Sequence, residues 1–313
     1  MDIQVIINQL AVLFLIMAIG FIVGKAKMLT PDGNKVLSKV VLFIGMPCTI
    51  LSAVFENEID ITVGDTAYFL LMCLVTIMIA FLISMPVIRL LCKEKANRGL
   101  LNFMSVFSNC GFMGFPVTIA IFGASSAYFV ALFNIPFNAL VFSIGILMIS
   151  GGKQGDEAGS AYKFNPKLLL NPTLIVALLA IFIALSGMEF PRVVTEAVRI
   201  TGSITTPGAM IVIGSTLAYV PLKTVFSEWR IAPVTLLKLI IIPVITWLLL
   251  RQIITNDLLL GVLVVLSAMP TAAMASMIAI EYGGDEQVAS AGVFVTTLLC
   301  GITVPLIVYF LLM

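Results

Sequence analysis

The sequence predicts an all-α integral membrane protein: ten transmembrane helices, arranged as two five-helix halves that enter the bilayer in opposite orientations. Three observations predict it. Hydrophobic residues make up 61% of the 313-residue chain and charged residues only 11%, with a mean hydropathy of +1.17, whereas soluble proteins carry about 25% charged residues. Apolar stretches of about 20 residues, the length that crosses a bilayer, recur ten times. A constant shift of 160 residues lays matching residues of the two halves on one another.

The stretches run roughly over 4–24, 36–55, 64–91, 98–121, 125–149, 167–186, 193–219, 230–252, 256–281 and 286–312. The first follows Met1-Asp2-Ile3-Gln4 without a basic leader, so it predicts a retained helix. Between spans 5 and 6, residues 150–166 read SGGKQGDEAGSAYKFNP, a polar Gly/Ser-rich linker. It separates a first repeat, 1–149, from a second, 167–313.

Basic residues orient the spans. One alternate set of loops carries Lys25, Lys27, Lys35, Lys39, Arg89, Lys93, Lys95, Arg98, Lys153, Lys163, Lys167, Lys223 and Arg230. The opposite set carries Arg192, Arg199 and Arg251, together with Glu56, Glu58, Asp60 and Asp65. The basic loops are expected in the cytoplasm, which places both termini outside a plasma or inner membrane. The 160-residue shift sets Pro47 on Pro207, Phe122 on Tyr282 and Gly123 on Gly283. Five spans per half is an odd number, so the second half enters inverted, an architecture of secondary transporters.

Spans 4 and 9 are each interrupted near mid-membrane. The first interruption is Ser108-Asn109-Cys110-Gly111-Phe112-Met113-Gly114-Phe115-Pro116, and the second is Ala268-Met269-Pro270-Thr271-Ala272-Ala273-Met274-Ala275-Ser276. Backbone groups freed there face protein or a water-filled cavity, because lipid cannot satisfy them. Pro116 lacks an N–H and is suited to starting a new half-helix. Gly111 and Gly114 permit non-helical backbone. Asn109 brings a carboxamide, Pro270 ends the first half of span 9, Thr271 adds a hydroxyl and Ser276 is placed to cap the second half. If the two spans cross, both half-helix N-termini point unpaired N–H groups and partial positive charge at one cavity, which suits an anion such as a carboxylate.

Lys238 is the one basic residue well inside a span. It either neutralises an anionic substrate, holds the negative end of a broken half-helix, or extends its stem to the cytoplasmic surface. Asn134 and Asn138, with Asn102 and Ser143, either line a path or hydrogen-bond between helices. No Asp or Glu lies deep in a span, which tells against a cation exchanger dependent on intramembrane carboxylates. With no histidine, imidazole metal ligation is excluded. Five cysteines without a CxxC pair read as small core residues. The near-neutral net charge, +1, argues against nucleic acid. No nucleotide loop, HExxH, GxSxG or Ser/His/Asp set is present, so the chain is expected to be neither an enzyme nor ATP-driven, and to need no cofactor.

Asn109-x-x-x-Met113-Gly114-x-Pro116 resembles the fourth-helix motif of the auxin efflux carrier family, which includes plant PIN exporters and bacterial malate or malonate permeases. Pro270 with Glu281-Tyr282-Gly283 is similar to that family's ninth helix, and Lys238-Leu-Ile-Ile-Ile-Pro243 to its eighth. Met46-Pro47, and Gly208-Ala209-Met210 with Gly214, extend the match along the chain. The resemblance implies a fold like that of bile-acid and sodium/proton transporters, with spans 4 and 9 crossing. Spans 1, 2, 6 and 7 would form a scaffold, often a homodimer, beside a mobile transport domain of spans 3–5 and 8–10. Asn109 would carry over as a substrate-carboxylate contact and Pro116 as a crossover proline. Ala275 stands where plant members place a second crossover proline, and the short linker is similar to that of prokaryotic members.

The function expected from these residues is elevator-like transport of a small organic anion, a mono- or dicarboxylate such as malate or malonate. Membrane potential alone supplies about 2.3 kcal/mol per charge per 100 mV for an anion leaving the cytoplasm. The alternatives are a sodium- or proton-coupled symporter of bile-acid type on the same fold, and a membrane sensor that binds without transporting.

Overall fold

The computed structural model describes residues 3–55, 62–92, 95–150, 172–186, 188, 190–220 and 228–313. Nearly all of the linker expected at 150–166 lies outside the described residues, as do Glu56, Glu58, Asp60, Lys93, Lys153, Lys163, Lys167 and Lys223. The described chain is helical, with one isolated antiparallel bridge and no named strand. In order, the helices are α1 (Ile3–Lys25), α2 (Pro31–Phe55), α3 (Val63–Leu91), α4 (Lys95–Val106) and α5 (Cys110–Phe122). They continue with α6 (Ser126–Ser150), α7 (Pro172–Ser186), α8 (Arg192–Gly202), α9 (Thr205–Ala218) and α10 (Ile231–Leu250). The last three are α11 (Asp257–Ser267), α12 (Ala275–Tyr282) and α13 (Glu286–Leu312).

Among the described residues, seven helical stretches are long and apolar enough to cross a membrane: α1, α2, α3, α6, α8 with α9, α10 and α13. Three shorter apolar helical pieces, Cys110–Phe122, Ile175–Ser186 and Asp257–Ser267, fall within the stretches read as spans 4, 6 and 9. Two of those stretches are the ones whose sequence is interrupted. The protein is therefore a multi-pass membrane protein.

Prolines set the local helical geometry. Within α2, α5 and α10 the helix widens to a π turn at Val41–Gly45, Cys110–Gly114 and Leu237–Ile241. Each turn stops two residues before a proline: Pro47, Pro116 and Pro243. A proline ring clashes with the carbonyl four residues back and offers it no N–H, and widening the turn relieves both defects. Pro116 is the second residue of the α-helical part of α5, Phe115–Phe122, the helix-start position its sequence suggested. Helix resumes six residues earlier, at Cys110, and Pro116 rides on the π turn.

Glycines determine how closely the helices approach. The residues divide into two compact units, Met1–Met72 with Cys110–Ile135 and Leu170–Tyr219, and Cys73–Asn109 with Pro136–Leu169 and Val220–Met313. In the first unit α1 packs along α9, with Gly20 against the Ile211 backbone, Gly24 against Ser215 and Ala218, and Gly214 against the Met17 carbonyl. Small residues of this kind allow close helix contact where lipid offers no hydrophobic driving force. The Thr49 hydroxyl lies 2.9 Å from the Gly202 carbonyl and 2.8 Å from the Thr205 hydroxyl, bridging the turn between α8 and α9.

In the second unit α4 meets the end of α6 at Gly99, whose missing side chain leaves room for the Met148 carbonyl. Met104 fills the notch at Gly292 on α13. The Phe107 ring is fixed by three aromatic neighbours, Phe81, Phe103 and Phe137, with centroids 5.7, 4.8 and 5.7 Å away.

Gly214→Val places a branched side chain against the α1 backbone. We expect this substitution to destabilise the protein by about 1–3 kcal/mol, read as a lower unfolding midpoint of the detergent-solubilised protein. An unchanged midpoint would mean that α1 and α9 do not pack through this glycine.

Candidate functional site

Both interrupted spans are broken, and within the second unit the breaks are joined by backbone hydrogen bonds. Helix stops at Val106 and resumes at Cys110, leaving Phe107, Ser108 and Asn109 non-helical. In span 9 it stops at Ser267 and resumes at Ala275, so the second interruption is the longer one. Ser108 and Thr271 form the isolated antiparallel bridge. The Asn109 N–H donates to the Pro270 carbonyl at 2.7 Å, and the Ala272 N–H donates to the Phe107 carbonyl at 2.9 Å. A two-bond fragment of sheet thus supplies the partners that an unwound helix loses and lipid cannot replace.

Side chains satisfy the remaining groups. The Thr271 N–H donates to Thr296 Oγ1 on α13 at 3.2 Å, and the Thr271 hydroxyl donates to the Met104 carbonyl at 2.9 Å. The Phe103 carbonyl accepts from the Phe107 N–H at 2.9 Å. Lys238 is 0% exposed, and its ammonium donates to the Val106 carbonyl at 3.3 Å and to the Ser108 hydroxyl. Of the three roles open to Lys238, extension to the membrane surface is ruled out. Its ammonium is held at the negative end of α4, where the helix dipole favours a cation.

The structure brings together Asn109, Pro270, Thr271 and Lys238, all at the paired breaks. Asn109 is 5% exposed, and its backbone N–H is committed to Pro270. Ser276 does not cap α12. The cap position is Met274, without a side-chain hydrogen bond, and Ser276 is the second residue of the helix, where it accepts from the Ser290 hydroxyl at 3.1 Å. Gly114 and Pro116 belong to α5 in the first unit. There Pro116 lines an open cleft of about 310 Å³ with Gln9, Val12, Leu13, Ile119, Ala120 and Thr206. Asn134 donates to the Val130 carbonyl of its own helix at 2.8 Å, and Asn138 is half-buried.

The expected supply of free N–H groups is smaller than the sequence suggested. Those of Asn109 and Ala272 are consumed by the pairing itself, and that of Thr271 by the Thr296 hydroxyl. Thr296, Met104 and Ser108 brace the breaks and were not distinguished by sequence. Thr296 sits in an ordinary apolar stretch, and the other two act through contacts made far along the chain. Among the described residues no cluster of His, Cys, Asp or Glu could hold a metal ion.

Beyond the breaks, the two spans continue alike. The α-helical part of α5, Phe115–Phe122, and α12, Ala275–Tyr282, begin and end 160 residues apart (115 to 275, 122 to 282). Each stops at a glycine with positive φ, Gly123 at 88° and Gly283 at 77°. These are the left-handed helix ends at which only glycine escapes a side-chain penalty.

A membrane protein with two such paired, broken spans belongs among transport proteins. Residues 5–308 match the family described as membrane transport protein, the auxin efflux carrier family, and the chain belongs to it. It is 25% identical over 293 residues to an uncharacterized transporter of Methanocaldococcus jannaschii, covering 91% of this chain and 92% of the relative. It is 24% identical over 309 residues to the uncharacterized transporter YfdV of Escherichia coli, covering 97% and 96%. It is also 25% identical over 278 residues to a Rhizobium meliloti protein named "Putative malonate transporter", covering 87% and 85%.

Thr296→Val keeps the shape of the side chain and leaves the Thr271 N–H without a partner. A loss of about 1–3 kcal/mol is expected, seen as a lower unfolding midpoint, with Thr296→Ser retaining most of the stability. Equal midpoints for the valine variant and the parent would remove this bond from the bracing of the break.

Proposed function

We propose that this chain is a secondary transporter of a small organic anion, a mono- or dicarboxylate such as malate or malonate, working by elevator-like alternating access. One observation carries the reading: two spans broken in the middle, hydrogen-bonded to each other, with a buried carboxamide and a buried ammonium at the join. Discontinuous helices of this kind form the midplane binding sites of transporters. The malonate named for the Rhizobium meliloti relative fits the same chemistry.

In this reading the substrate carboxylate accepts from the Asn109 carboxamide. Ser276 and the first-turn N–H groups of α12 assist. Thr271 acts by holding the Pro270 turn, since its hydroxyl already donates to Met104. Lys238 adds a positive field from behind the break, its ammonium being engaged by Val106 and Ser108. Gly114 and Pro116 shape the half-helix that continues from Asn109. The equal lengths of the two half-helices and their matching glycine ends support a five-plus-five inverted repeat of ten spans. The close α1–α9 packing supports a rigid scaffold built from spans 1, 2, 6 and 7, through which two copies would associate. Spans 3–5 and 8–10 would move. The basic-loop bias places both termini outside the plasma or inner membrane.

Proteoliposomes holding the full chain, loaded with radiolabelled malonate, malate or a monocarboxylate at imposed potentials and pH gradients, test the function. Asn109→Ala is expected to weaken apparent affinity by about tenfold or more, the value of one hydrogen bond to a charged group. Unchanged flux in that variant would remove Asn109 from the site, and no carboxylate flux in the parent would reject the function.

A further inference from the structure

We propose that Lys238 is a tethered counter-cation: its ammonium occupies the place at the carbonyl end of α4 where a broken-helix carrier would otherwise hold a diffusible cation. The inference rests on the reading of the chain as an organic-anion carrier.

A broken helix exposes carbonyls at the end of its first half, and in transporters such half-helix C-termini and unwound carbonyls coordinate sodium ions. Around the end of α4, Phe103 accepts from the Phe107 N–H, Met104 from the Thr271 hydroxyl, and Phe107 from the Ala272 N–H. The Val106 carbonyl and the Ser108 hydroxyl, two oxygens at the mouth of the break, both receive the Lys238 ammonium. A carbonyl and a hydroxyl are ligands that a hard cation prefers. The charge arrives instead on a side chain anchored in α10, within the π turn Leu237–Ile241 that precedes Pro243. Burying an ammonium is costly unless its protons are accepted, and these acceptors take two of the three.

The tether changes what the carrier transports. A diffusible cation travels with the substrate and offsets its charge, whereas Lys238 stays with the protein and contributes its field in every cycle. Sodium is then unnecessary, and the anion crosses with its own charge uncompensated. Lys238 is a positioning residue here, acting on the break rather than touching the substrate.

The full chain is compared with Lys238→Ala and Lys238→Arg in proteoliposomes, with sodium exchanged for choline. For the parent, malonate flux and unfolding midpoint are expected to be the same in both salts. Lys238→Ala is expected to unfold at lower temperature in choline and to regain stability in sodium or lithium, with sodium stimulating its flux by about tenfold, within the usual range of coupling. Lys238→Arg should remain insensitive to the salt. Sodium dependence of the parent, in flux or midpoint, would overturn the proposal, as would a stable Lys238→Ala protein indifferent to every cation. If Lys238→Ala does not fold, the salt response of the parent and of Lys238→Arg decides. Absence of carboxylate flux in the parent would reject the anion-carrier reading, while the midpoints in sodium and choline would still test the cation position.

Discussion

The structure depends on one constraint: backbone groups released inside a membrane have to find partners within the protein. Unwinding two spans at mid-depth frees several N–H and carbonyl groups, each costing several kcal/mol if left in hydrocarbon. The chain meets this by opening both spans at places where the exposed segments can pair with each other. Two backbone bonds between Phe107–Asn109 and Pro270–Ala272 replace helical ones. Thr296, Thr271 and Lys238 then take the groups that the pairing leaves over. The irregular segment is consequently held by specific partners on three helices, which is what allows a non-helical site to persist without water on all sides.

Charge is organised by the same breaks. Each interrupted helix ends in a partial negative charge and begins again in a partial positive one. At the negative end of α4 the sequence supplies a lysine, and the first turns of the resumed helices carry no carboxylate. The helix dipole and one buried ammonium thus meet at the break. That is economical in a bilayer, where each additional charge has to be desolvated and paired.

Packing elsewhere turns on small residues and on prolines accommodated by π turns. Gly20, Gly24 and Gly214 bring α1 and α9 into backbone contact, a geometry with little freedom to slide. Pro47, Pro116 and Pro243 each follow a widened turn that a modest change of backbone can tighten or open.

Much of this was legible in the residues. Apolar length revealed the spans, and proline with glycine at two depths revealed the interruptions, because both signals are local. The 160-residue offset located Gly123 and Gly283, whose positive φ angles follow from chemistry that glycine alone tolerates. Other features depended on partners distant in sequence. Ser276 reads as a helix cap by its position, yet the helix begins one residue before it and Ser290 is its partner. Pro116 reads as a helix start and stands second in the α-helical segment, but the π turn that extends it back to Cys110 was not legible. The three readings open to Lys238 could not be separated without knowing that Val106 lies within reach, 132 residues away. Sequence by itself determined that this chain lives in a membrane and that two of its helices are interrupted, since hydropathy and proline geometry act over a few residues. Only the tertiary structure decided which groups close those interruptions, because hydrogen-bond partners are chosen by proximity in space.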